Sequence, residues 1–264
     1  MIPKTIHYCW FGGNPKPKLA KKCIKSWKKK CPDYEIIEWN EDNFDIPSAP
    51  LYVRQAYEAK KWAFVTDYVR LFAMLNYGGI YMDTDVEVVK SLDPFLSHKA
   101  FSGFEDEIHI PTGIMACEKG FPLFNEFLHY YDNVSFFNEG GEISYVTNVI
   151  IMTEICLSKG LIQNNTLQNI DGFMLYPNDY FCPLSYQTRR LEMTENTTTI
   201  HWFNASWLPK ERKEKHKKEL KLQRRTERKH FIKTIPNRVV RRIIGDVRYD
   251  RLKGNLKRDN NAKD

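Results

Sequence analysis

Apolar residues along this chain fall into short runs of strand length and longer stretches at helical spacing. Residues 5–11 read as a buried strand that stops at Gly12-Gly13. Residues 19–30 read as an amphipathic helix, with Leu19, Cys23, Ile24 and Trp27 on one face and lysines on the other. A second strand is expected over 34–39, a loop rich in Asn, Asp and Pro over 40–50, and one or two helices over 51–77. Asn76, Gly78 and Gly79 form a helix stop. A long strand is expected over 79–89, and shorter ones over 100–104, 114–117, 173–176 and 198–201. Helices are expected over 122–134 and 146–159. Strands alternating with helices from the N-terminus predict a parallel α/β sheet of the nucleotide-binding kind. Such sheets bind ligands at the carboxyl ends of their strands, which would bring Trp10 and Asp83-Thr84-Asp85 to one edge.

Two carboxylates interrupt the expected strand over 79–89. A strand alternates its faces, so Asp83 and Asp85 should point the same way, with Thr84 turned aside. Like charges that close repel and are costly to desolvate, and a divalent cation held with a phosphate removes the cost. A bare Asp-x-Asp is common on solvated faces, but here Ile80 to Met82 and Val86 to Val89 surround the acids with apolar chain. Asp67 and Arg70, three apart on a helix, share a face. Such a pair is usually a surface salt bridge, yet Phe64, Val65, Val69, Leu71 and Phe72 around it argue for burial. Trp10, beside two glycines, suits either a core position or stacking on a nucleobase.

The stretch Asp67-Tyr68-Val69-Arg70, then Tyr77-Gly78-Gly79-Ile80-Tyr81-Met82-Asp83-Thr84-Asp85, resembles the Asp-x-Asp region of glycosyltransferase family 32. The opening Ile2-Pro3-Lys4-Thr5-Ile6-His7-Tyr8-Cys9-Trp10-Phe11-Gly12-Gly13 is similar to that family's first strand and loop. The resemblance covers residues 1–207. It implies a GT-A-like α/β fold, a nucleotide-sugar donor, Mn²⁺ or Mg²⁺ as cofactor, and retention of the anomeric configuration. It implies that Trp10 stacks on the base, and that Asp67 accepts hydrogen bonds from sugar or ribose hydroxyls. Arg70 would donate to sugar or diphosphate, and Tyr81 would support the donor. Asp83 would touch ribose or metal through water, and Asp85 would coordinate the metal directly. His201 or Ser206 would complete the metal shell, and the Trp207 indole would donate to the leaving diphosphate. Asn148, at a helix start, would face the sugar. A UDP-sugar is the favoured donor, and a lipid-linked glycan of a capsule or O-antigen pathway the expected acceptor.

Composition adds a second segment. At 264 residues, 42% apolar and 14% aromatic, the chain can build one core domain with an appendage. The boundary expected from charge is at 208/209. Residues 209–264 carry 21 Lys and Arg against 8 Asp and Glu, a balance of +13, whereas residues 1–208 sum to −6. Residues 209–229 read as an exposed charged helix. Phe231, Ile232, Ile235, Val239, Val240, Ile243, Ile244 and Val247 then recur at helical spacing among basic residues. A basic amphipathic helix suits an anionic membrane surface, and docking on its own domain is the alternative. No apolar run reaches the roughly 18 residues of a membrane span, and the N-terminus reads as a strand rather than a signal peptide. A cytoplasmic enzyme, peripheral on the inner face of the membrane, is expected. The six cysteines show no C-x-x-C pair and read as reduced, buried thiols. Glu105, Asp106 and Glu107 read as a solvated loop. Two rival functions are a phosphohydrolase, disfavoured because Glu87 stands where its motif needs Thr or Val, and a nucleic-acid binder acting through the tail, disfavoured by the absence of any recognised motif.

Overall fold

Strand β1 (Thr5–Cys9) has a packed core on each face of the sheet, which explains its nearly continuous burial. Ile6 and Tyr8 enter one core, while Cys9 enters the other. Helix α1 (Lys18–Lys30) buries Ala20, Cys23 and Trp27, and Lys28 to Lys30 in its last turn complement the helix dipole. β2 (Glu35–Trp39) follows, then α2 (Leu51–Glu58) and α3 (Trp62–Tyr77). α3 stops at Gly78, whose φ of 70° puts it in the left-handed region, and a Cβ there would lie 2.6 Å from the Lys119 nitrogen. Next come β3 (Gly79–Met82), β4 (Val86–Val88), β5 (Ala100–Gly103), β6 (Ile114–Cys117), α4 (Pro122–His129) and α5 (Asn148–Ser158). β7 (Gln168–Ile170), β8 (Phe173–Tyr176), the short α6 (Asn178–Phe181) and β9 (Thr199–His201) complete the order.

The structure is a computed structural model that describes residues 1–110, 113–143 and 146–204, and beyond them only positions 211, 214–215, 218–222 and 225–226. The chain divides into two units, Met1–Trp207 and Leu208–Asp264. The described positions of the second unit are helical and, Leu220 apart, exposed. The basic stripe over 231–247 lies outside the described residues. No described helix is long and apolar enough to cross a membrane.

Seven strands form one sheet in the order β2-β1-β3-β6-β5-β8-β7. The sheet is mixed, not parallel as expected from the alternation of elements. β1 is parallel to β2 and β3, and β5 to β8, but β6 and β7 run the other way. β7 and β8 form a two-residue hairpin at Asp171-Gly172, both at positive φ, which is the geometry such short turns favour. The expected long strand over 79–89 is also broken. β3 ends at Met82, Asp83 to Val86 form a turn closed by the Val86 N–H on the Asp83 carbonyl (2.9 Å), and β4 leaves to pair with β9 in a second, two-stranded sheet. Two carboxylates would be costly to desolvate inside a sheet, and the turn carries them to its edge.

His7 is fully buried between β2 and the end of α3. The Trp39 indole donates to its Nδ1 (3.1 Å) and its Nε2 donates to the Gly78 carbonyl (2.9 Å), which fixes the neutral tautomer. Burial pulls its pKa down from 6.5 to about 4, against the Gly78 hydrogen bond. The unfolded chain therefore takes up a proton that the folded chain refuses. Stability should fall as pH drops from 6.5 towards 4 and then level, by roughly 3 kcal/mol in total. Urea unfolding of wild type and His7→Gln across that range checks this: the variant starts less stable, and the gap narrows on acidification. A constant gap would show that His7 is not the titrating group.

Candidate active site

The carboxyl ends of β1 and β3 lie side by side, with His7 opposite Tyr81. Carried forward, that register sets Cys9 level with Asp83 and Trp10 one step beyond. Trp10 and the Asp-x-Asp turn thus share the edge expected for them. Trp10 is half-buried, and its indole donates to the Asn14 carbonyl at 2.6 Å. Gly12 (φ 87°) behind it allows Trp62, at the start of α3, to rest on the loop, where a Cβ would come within 2.5 Å of the indole. Glu41 accepts from the Gly12 N–H (2.7 Å) and the Tyr57 hydroxyl (3.3 Å). Sequence reasoning overlooked Trp62 and Glu41, and the double glycine was the one local sign that a bulky group comes close.

Arg70 is the centre of the buried charge. Its guanidinium lies 3.3 Å from both Asp67 and Asp83, and 4.8 Å from the centre of the Tyr81 ring. The Tyr81 hydroxyl donates to Asp83 at 2.7 Å, on the strand face they share. Burial pushes the Asp67 carboxyl up to about 7, Arg70 pulls against this, and Asp83 adds to it. Burial works against the Arg70 charge too, but Asp83, Tyr81 and Asp67 outweigh it and hold the guanidinium protonated. Asn148 is a correction to the sequence reading. It is 1% exposed, accepts from Tyr131 and donates to the Asp67 carbonyl (2.9 Å), so it braces α3 from beneath rather than presenting its amide to a sugar.

On the other side of the turn, Asp85 faces β9. His201 Nε2 lies 3.3 Å from one Asp85 oxygen, and the Asn204 N–H donates to the other at 2.7 Å. Burial alone would raise Asp85, but His201 and the Asn204 N–H hold it below the usual carboxylate range. Burial likewise opposes a charge on His201, and Asp85 raises it well above the ordinary value, with Cys182 adding to the effect. The His201 Nδ1 is buried with no hydrogen-bond partner among the described residues. Gly113 is what lets the ring sit there, since a Cβ would come within 2.8 Å of that nitrogen. Ligand atoms of Asp83, Asp85 and His201 all lie within 4.8 Å of one another. A six-coordinate divalent ion bound at about 2.1 Å sets neighbouring ligands about 3 Å apart, so two carboxylates and an imidazole at this spacing fit one. Ser206 and Trp207 lie outside the described residues. Glu87 is taken up by Lys22 (2.6 Å) and the Trp202 indole (2.9 Å) and anchors β4.

The acids after β5 are not all solvated, contrary to the sequence reading. Glu105 is half-buried, and its electrostatic surroundings include His201, Asp106, His109 and Asp83. Burial raises its carboxyl, His201 and His109 pull it down, and Asp106 and Asp83 push it further up. The Glu105 N–H donates to the His109 carbonyl (2.7 Å), and Asp106 holds the backbone N–H groups of Ile108 and His109, which folds the loop back over the edge.

Residues 17–102 match the family described as "Glycosyltransferase sugar-binding region containing DXD motif". Inositol phosphoceramide mannosyltransferase 3 of Schizosaccharomyces pombe is 32% identical over 126 residues, spanning 46% of this chain and 35% of that protein. Mannosyl phosphorylinositol ceramide synthase CSH1 of Saccharomyces cerevisiae is 25% identical over 199 residues, 68% of this chain and 49% of that one. The chain thus spans half or less of the length of these curated relatives. Among solved structures, the galactosyltransferase LgtC in complex with donor and acceptor sugar analogues is 14% identical, covers 76% of this chain and 87% of its own, and has a TM-score of 0.40.

Proposed function

We propose that this chain, which carries the DXD sugar-binding region of the glycosyltransferases over residues 17–102, transfers a sugar from a nucleoside diphosphate donor to a hydroxyl of a lipid-linked acceptor. Mn²⁺ or Mg²⁺ would be held by Asp83, Asp85 and His201. The observation that carries this proposal is the convergence of those three ligand groups at a strand edge, beside a buried arginine. When bound, the cation neutralises charge on the diphosphate as it leaves. Arg70 supplies fixed positive charge next to Asp83, at no reorganisation cost because Asp67, Asp83 and Tyr81 already hold it. Trp10 offers an indole for the base at the neighbouring strand end. Asp67 orients Arg70 and offers a carboxylate to donor hydroxyls, with Asn148 bracing the helix below.

A lipid-linked acceptor is supported by the relatives, which are named for inositol phosphoceramide, and by the +13 balance of residues 209–264. A capsule or O-antigen intermediate shares the same chemistry, a sugar or polyol hydroxyl on a phosphate-linked lipid. The relatives' names put mannose beside the UDP-sugars as the group to test. A screen of UDP-glucose, UDP-galactose and GDP-mannose with Mn²⁺ should find one donor that raises the melting temperature and is slowly hydrolysed, both effects being lost with EDTA. Stabilisation by none of them, or hydrolysis indifferent to EDTA, would refute the proposal. Retention at the anomeric carbon belongs to the same proposal and is read from the product's anomeric proton coupling.

The proposal places the enzyme on the inner face of a membrane. Each basic residue near an anionic surface contributes on the order of 1 kcal/mol, screened by salt. Full-length protein should co-sediment with phosphatidylserine liposomes at low salt and partly resist high salt, whereas a chain ending at residue 208 should stay in solution and keep donor hydrolysis. Equal sedimentation of both forms would sink the membrane role.

A further inference from the structure

Three strand ends face one edge of the sheet in a fixed order, and the third has no assigned task. β6 is antiparallel to both β3 and β5, so β3 and β5 point the same way. Gly79 and Ala100 both pair with Cys117, and Ile80 and Phe101 both pair with Ala116. Extending that register sets Phe104 level with Asp83, and Glu105 one residue beyond. The Asp83 N–H on the Gly113 carbonyl (2.8 Å) keeps the same register at the edge itself. Along the edge, Trp10 at the end of β1 comes first, the Asp83–Asp85 turn at the end of β3 second, and Glu105 at the end of β5 third, two strand spacings or about 10 Å past β3.

A nucleotide sugar is linear: base and ribose, then diphosphate, then sugar. With the base at Trp10 and the diphosphate at the Asp83–Asp85–His201 ligands, the sugar continues along the edge towards β5. Glu105 waits there. Its backbone is pinned by the Glu105 N–H on His109, and Phe104 before it by its N–H on the Tyr176 carbonyl (2.8 Å). Its carboxylate has no hydrogen-bond or ion-pair partner among the described residues, although His201 and Asp83 lie within its electrostatic surroundings. A half-buried carboxylate that no protein group occupies is open to a ligand, and vicinal sugar hydroxyls are donors that suit it. We infer that Glu105 binds hydroxyls of the transferred sugar and so helps select which sugar the site accepts. This inference rests on the donor chemistry proposed above.

The test separates the sugar from the rest of the donor. Affinities of UDP, GDP, UDP-glucose, UDP-galactose and GDP-mannose are measured by calorimetry with Mn²⁺ for wild type, Glu105→Gln and Glu105→Asp. For the nucleotide pair that wild type binds, Glu105→Gln should leave the free diphosphate within twofold of wild type and weaken the nucleotide sugar about tenfold to hundredfold, the range for a charged hydrogen bond. Glu105→Asp should fall between. Equal weakening of both ligands would place Glu105 in the cation shell and overturn the inference. So would unchanged affinities in a folded variant, or a change confined to the acceptor's KM. If wild type binds none of the five, the donor proposal itself fails, and this assignment falls with it.

Discussion

Asp85→Asn should abolish cation-dependent donor binding and lower transfer by at least about a hundredfold. The variant keeps the size of the side chain and can still accept from the Asn204 N–H, so the turn that positions it should survive. What it loses is the charge facing both the proposed cation and His201. Partners that merely orient a metal ligand are worth about 10–100-fold in affinity or activity, and a direct ligand should be worth no less than the upper end. Manganese titration followed by electron paramagnetic resonance reads the cation directly, and thermal unfolding without metal reads the fold. Near-normal Mn²⁺ affinity in a folded variant, or transfer that survives EDTA in wild type, would remove the metal from the mechanism. Asp83→Asn is an instructive companion. Asp83 also anchors Arg70 and receives the Tyr81 hydroxyl, so that variant should lose stability as well as activity.

The approach of Asp83 and Asp85 to one another was legible in the sequence, but for a partly mistaken reason. Strand alternation predicts Tyr81 and Asp83 on one face, and they are. The same rule extended to Asp85 fails, because the chain turns at Asp83 and delivers Asp85 to β9 instead. The two carboxylates converge through the turn, not the pleat. His201 could be named only through the family resemblance, as an alternative to Ser206, and nothing local says that its strand pairs with β4 more than a hundred residues earlier. Such a pairing is set by the whole sheet.

Glu105 and Asn148 were misjudged for opposite reasons. Three acids in a row look solvated, since composition carries no information about which strand end the loop covers. An amide at a helix start looks available, since sequence does not reveal that Tyr131 and the Asp67 backbone already occupy it. The mixed sheet escaped for a similar reason. Alternating elements resemble a parallel sheet, and β7 is only three residues long. The Asp171-Gly172 pair before Phe173 was the sign of a hairpin that could have revealed it.

Arg70→Met should be the most destabilising substitution in the site. The guanidinium is almost fully buried and is the cation shared by Asp67 and Asp83. Methionine fills comparable space but leaves two carboxylates facing each other. Removing one partner of a buried charge group costs about 3–5 kcal/mol. For a domain of this size, that lowers the melting temperature by on the order of 10 °C. The loss should depend on pH in a defined direction. In wild type, burial already lifts Asp67 to about 7 against the pull of Arg70. Without that pull its folded pKa rises further, so the folded variant holds a proton that the unfolded chain releases near pH 4. A raised folded pKa contributes stability at low pH that is lost as pH climbs through it. The gap between wild type and Arg70→Met should therefore widen from pH 5 to pH 8, while the His7 effect, common to both proteins, cancels. Adding Asp67→Asn should remove one of the facing charges, recover part of the stability at pH 8 and restore none of the transfer activity. Urea unfolding of the four proteins of this double-mutant cycle at both pH values decides the matter. Additive losses with no pH dependence would mean that Arg70 stabilises the fold by packing alone, and that the charge group at the strand edge is not the coupled unit its geometry describes.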